Sequence, residues 1–155
     1  MPIRKGTLTA LIVSCSAPFV AIAQQQNITL SAVCKDPQGY LISYQDMTGK
    51  PQSGKDGFKN AAWSFQWSTS NPGTGKVITQ DSQAAGGGTH AADAAVIYSP
   101  DLDSITFFVK YETGLWFYTL YPKSKNMVAS RHMISPLHKG GSAAVFSTKC
   151  DMGVQ

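Results

Sequence analysis

Ser104-Ile105-Thr106-Phe107-Phe108-Val109-Lys110-Tyr111-Glu112-Thr113-Gly114-Leu115-Trp116-Phe117-Tyr118-Thr119-Leu120-Tyr121 is the stretch on which the fold turns. Two short runs rich in β-branched and aromatic residues flank a glycine-containing break, the pattern of an antiparallel hairpin. We read strands over 104–111 and 115–121, joined by a three-residue loop at 112–114 with Gly114 available for a left-handed conformation. The second strand is apolar or aromatic on both faces. If Leu115, Phe117 and Tyr121 turn inward, Trp116 and Tyr118 turn outward beside Phe108 and form an aromatic patch for a ligand or partner. The competing arrangement is a central strand covered on both sides.

The remainder of the chain repeats this period of two. Trp63, Phe65 and Trp67 alternate with Ser64, Gln66 and Ser68, so three rings share one face, which is expected to fill a core rather than line a cavity. Ile28, Leu30, Ala32 and Cys34 share a face in the same way. Asp36-Pro37-Gln38-Gly39 fits a type I turn leading to a strand at 40–44. Further strands are expected at 76–80, 94–98, 126–132 and 143–150, with no helical periodicity over ten residues. Three long connections remain, 47–61, 81–93 and 133–142, and long connections in small domains often bind ligands. The first carries Lys50, Lys55 and Lys59, read as a solvated loop, and Phe58, a candidate anchor for an ordered binding surface.

The expected fold is therefore all-β: a single domain of eight or nine short antiparallel strands, arranged as a closed barrel or a sandwich. Cys34 near the start and Cys150 near the end both face inward. A disulfide between them would join the first strand to the last and favours a closed barrel.

The beginning of the chain places that cysteine pair in an oxidising compartment. Arg4 and Lys5 precede an uncharged apolar run from Leu8 to Val20, and Ala21-Ile22-Ala23 supplies a small-x-small cleavage site, the three parts of a secretory signal peptide. The apolar run is shorter than the roughly 20 residues of a membrane-spanning helix, so no transmembrane anchor is expected. We expect a signal peptide at 1–23, a β domain at 24–155, and a periplasmic or extracellular location. Ile12-Val13-Ser14-Cys15 also resembles a lipoprotein box, which makes a lipid anchor at Cys15 the alternative.

Chemistry is sparse in the β domain. The formal charge of +4 includes Arg4 and Lys5, and the remaining basic residues are scattered lysines with a single arginine, Arg131, which disfavours nucleic-acid binding. Gly73-Thr74-Gly75-Lys76 lacks the spacing of a phosphate loop, and no cofactor motif is present. The three histidines, His90, His132 and His138, lie apart, so no metal site is expected. Glu112 is the only glutamate, which disfavours paired-carboxylate catalysis. These readings point to a non-catalytic binding protein of the cell envelope, an inhibitor or immunity-like partner of another envelope protein or a carrier of a small apolar or glycan ligand. The candidate binding residues are Trp116, Tyr118, Phe108 and Phe58. A small hydrolase with a histidine-containing loop site is the alternative.

Overall fold

The computed structural model describes residues 27–44, 50–81, 87–135 and 140–155. These form β1 (Thr29–Lys35), β2 (Gln38–Tyr44), β3 (Pro51–Gly57), β4 (Ala62–Ser68), β5 (Thr74–Gln80), β6 (Thr89–Tyr98), β7 (Ile105–Tyr111), β8 (Gly114–Tyr121), β9 (Asn126–Ser135) and β10 (Gly140–Val154), with a 3-10 turn at Pro122–Ser124. From β4 to β10 each strand pairs antiparallel with the next, and β10 returns to pair with β1, which itself pairs with β4. The result is a closed barrel of eight staves. Eight strands enclose a bore that side chains can fill or that can admit one small ligand. The signal peptide expected at 1–23 lies outside the described residues. Among those residues, no helix is long and apolar enough to cross a membrane.

The closing seam carries the expected disulfide. Cys34 and Cys150 are direct partners in the β1–β10 ladder, with Cα atoms 4.1 Å apart, and both are buried. Asp36-Pro37 does not reverse the chain as a type I turn would. β2 continues along the same edge of β10 as β1, and the register passes from Cys34↔Cys150 to Gln38↔Ser147, so one extra residue is accommodated on the β1–β2 side. Asp36 absorbs it with φ of 51°, the behaviour of a bulge. The Thr148 hydroxyl donates to the Lys35 carbonyl across the irregularity, at 2.6 Å. Gly39 follows because a Cβ there would lie 1.8 Å from the Val145 carbonyl oxygen.

Beyond the bulge, β2 leaves β4 and pairs with β3, a strand that falls within the expected 47–61 connection. Its residues are Pro-Gln-Ser-Gly-Lys-Asp-Gly, almost all exposed. Neither face is buried, so no hydrophobic period marks it, and it is held by backbone pairing to β2 and by the Asp56–Arg131 ion pair. The other two long connections are also shorter than expected. β6 begins at Thr89 and β9 runs to Ser135, because small and polar residues at the ends of staves pair without showing apolar alternation.

The hairpin differs in one decisive respect. Tyr111 pairs with Gly114, so the loop is two residues, Glu112-Thr113. Shifting a register by one residue moves every side chain of a strand to the other face. Val109↔Trp116, Phe107↔Tyr118 and Ile105↔Leu120 are the buried pairs, whereas Leu115, Phe117 and Tyr121 are outside. The outward placement of Trp116 and Tyr118 is thus corrected: both point into the barrel. Gly114 is required by close approach rather than by a left-handed turn, since a Cβ would sit 2.2 Å from the His132 carbonyl oxygen.

Candidate ligand site

The bore is filled unevenly along its length. At the end where β4 finishes, Trp67 donates its indole N–H to the Pro72 carbonyl at 2.9 Å and packs on Tyr98, closing the barrel there. Phe65 and Phe107 fill the middle with centroids 5.2 Å apart. At the opposite end, where β4 and β8 begin and β5, β7 and β9 finish, packing leaves a cavity of about 240 Å³ lined by Phe58, Trp63, Thr79, Asp81, His90, Tyr111, Thr113, Trp116, Tyr118 and Met133.

The walls follow from strand parity. Trp63 on β4, Thr79 on β5, Tyr111 on β7, Trp116 and Tyr118 on β8 and Met133 on β9 occupy inward positions near the same end of their strands, so closure of the sheet gathers them. Trp116 and Tyr118 lie nearly parallel, 11° apart with centroids at 5.4 Å. Trp63 stands across both, at 87° to Trp116 and 79° to Tyr118. Phe58 arrives from the β3–β4 connection and meets Trp63 edge-on at 5.2 Å. Its backbone N–H donates to the Pro37 carbonyl at 2.9 Å, which anchors this connection to the bulge.

Polar groups gather on one side. Burial raises the pKa of both the Tyr111 and the Tyr118 phenol. His90, opposite Thr79 in the β5–β6 ladder, lies with Nε2 3.6 Å from Asp81 Oδ2. The Asp81 carboxylate pushes the Tyr111 phenol further in the same direction as burial does. On the other side, next to the cavity wall, Arg131 has its guanidinium 5.5 Å or less from the ring centroids of Phe58, Trp116 and Phe146 and donates to Asp56 Oδ2 at 2.9 Å. Desolvation lowers the Arg131 pKa. Its Nε is buried without a hydrogen-bond partner.

Three of the four candidate binding residues, Trp116, Tyr118 and Phe58, therefore meet around one cavity, inside the barrel rather than on a surface patch. Phe108 does not join them: it lies outside and packs on Phe117, its direct partner, with centroids 5.0 Å apart. Trp63 also lines the cavity, although its alternation with Phe65 and Trp67 reads as core alone. Thr79, Asp81 and Tyr111 carry no signal in the sequence, because their convergence depends on which strand ends the barrel brings together. The two described histidines stay apart. His90 is at the cavity, His132 is on the outer face, and His138 lies outside the described residues. Among the described residues, no three of His, Cys, Asp and Glu are grouped to hold a metal ion. Two further depressions lie on the outer surface, one lined largely by polar side chains such as Ser31, Gln66 and Lys76, the other by Ile42, Tyr44 and Ile134.

No family model matches the chain, and no curated protein matches it at significant similarity.

Proposed function

We propose that this is an exported, non-catalytic binding protein that holds a small, largely apolar molecule in the open end of its barrel. The observation that carries the reading is the contrast between the two ends, one plugged by Trp67 and the other left as an aromatic-walled cavity with a few polar groups on one side. Apolar walls with a small number of placed polar groups are the usual composition of a small-molecule site, and the volume lies just below the usual range of about 300–1,000 Å³. Export is supported by the leader-like first 23 residues and by the disulfide across the seam.

Titration of tryptophan fluorescence with 2-phenylethanol, a small ring-bearing probe, tests the site. A saturable change should be weakened by Phe58→Ala at the cavity and left intact by Phe117→Ala on the outer wall. The reverse ranking moves the site to the outside and overturns the proposal.

A second reading, the small hydrolase, is favoured by the His90–Asp81 pair at the cavity. It requires an ester such as 4-nitrophenyl acetate to be turned over with a rate lost in His90→Ala. Among the described residues, no serine or cysteine lines the cavity beside that pair, which is why binding is the better-supported function.

A further inference from the structure

Resting on the cavity reading, the geometry points to a ligand class: a small organic cation, an ammonium group attached to a planar or compact apolar body. Five aromatic rings line the cavity, those of Phe58, Trp63, Tyr111, Trp116 and Tyr118. The near-perpendicular setting of Trp63 against the parallel Trp116–Tyr118 pair makes a corner of π-systems. Aromatic rings carry negative faces, and corners of this kind attract ammonium groups.

Formal charge agrees with the rings. Among the described residues, Asp81 is the only carboxylate lining the cavity, and no lysine or arginine lines it. The nearby Arg131 is already neutralised by Asp56 and lies over Phe58, Trp116 and Phe146, so it offers an incoming anion little, and of the cavity rings Trp63, Tyr111 and Tyr118 carry the attraction for a ligand cation. Asp81 has its side chain 29% exposed and His90 Nε2 as a neighbour of its carboxylate at a loose 3.6 Å. An ammonium group entering beside Asp81 would replace a long contact with a direct one. The Thr79, Tyr111 and Thr113 hydroxyls lie on the same cavity and supply acceptors for its remaining N–H groups. The apolar body then rests against Trp63 and Trp116. An anionic ligand meets the opposite conditions, a carboxylate and an aromatic wall.

Three probes share a ring and a short chain and differ in charge: phenethylammonium, 2-phenylethanol and phenylacetate. Calorimetric titration of the full protein at neutral pH should rank phenethylammonium tightest. Asp81→Asn should weaken it about tenfold, the scale of one charge pair between the bulk-water and protein-surface limits, and weaken 2-phenylethanol far less. The Asp81 side chain is partly exposed and the variant keeps its shape, so folding should be retained. If the alcohol binds as tightly as the ammonium and Asp81→Asn changes neither, the cation inference fails while the cavity reading stands. If phenylacetate binds tightest, the charge assignment is reversed. If none of the three binds at millimolar concentration, the cavity reading fails with it.

Discussion

Tyr118 is the residue on which the interior chemistry centres. Its side chain is 1% exposed, and its ring stacks on Trp116. Burial of the phenol, reinforced by the neighbouring Tyr111, raises its pKa far above the ordinary value of 10.0. The unfolded chain therefore loses this proton at a lower pH than the folded protein. Stability from the group is complete below pH 10 and falls as pH rises above it, because the unfolded state then binds fewer protons. Thermal melts between neutral pH and about pH 11.5 should show this fall, and Tyr118→Phe should make it shallower than in the parent protein. An unchanged slope in Tyr118→Phe would show that Tyr118 titrates freely in the folded state. Arg131 shows a related economy. Its charge is accommodated inside the barrel by Asp56 at 2.9 Å and by the faces of three rings, and the same ion pair ties β3 to β9 across the open end.

At the scale of the element, the β7–β8 hairpin determines which rings reach the cavity. A two-residue loop puts Trp116, Tyr118 and Leu120 inside; a three-residue loop would have put Leu115, Phe117 and Tyr121 there. Composition does not separate these outcomes, because both faces of β8 are apolar. The choice is made by the neighbours. Trp116 and Tyr118 have the rings of Trp63, Phe65 and Phe146 to pack against, whereas among the described residues Phe117 has one ring partner, Phe108 on the outer wall. Gly114 also fits beside the His132 carbonyl only at this register. Two substitutions one position apart read the register directly. Trp116→Ala should cost about 3–5 kcal/mol in urea unfolding, as a buried aromatic deletion does. Phe117→Ala, 38% exposed, should cost less than about 1 kcal/mol. Equal costs would contradict the two-residue loop.

For the molecule as a whole, the β1–β10 seam is where an open sheet becomes a barrel. Cys34 and Cys150 are 116 residues apart in sequence, and the simple chain model assigns the cross-link about 5 kcal/mol of stabilisation through the unfolded state. The double variant Cys34→Ser/Cys150→Ser should lose stability on that scale, reduced where the unfolded chain keeps residual structure. If the export proposal holds, mass spectrometry of the protein recovered from a secreting host should give a chain beginning at Gln24 and lighter than its reduced form by the two thiol hydrogens. A chain starting at a lipidated Cys15, or free thiols in the native protein, would contradict the processing or the closure respectively. Outside the barrel, Tyr40, Ile42 and Ile134 are 64%, 58% and 71% exposed, so the outer wall near the open end is apolar as well.

The all-β class, most of the staves and the pairing of the cysteines were legible in the sequence by itself. Alternation along 28–34 and 63–68 is a local property, set by the two-residue period of extended backbone, and Cys34 and Cys150 are the only cysteines in the expected mature chain. β3 was not legible, because a strand with both faces in water needs no apolar residues. The bulge at Asp36 was not either, since Asp-Pro favours a turn and it takes the continuous partner β10, with the backbone of Phe58 and Ala61, to hold the chain straight there. The cavity was half legible: Phe58, Trp116 and Tyr118 stood out as aromatic candidates, but their common direction did not. That direction, and the meeting of Asp81, His90 and Tyr111 with the rings, depend on register and on closure of the sheet. Both are settled by packing between residues distant in sequence, so only the tertiary structure could decide them.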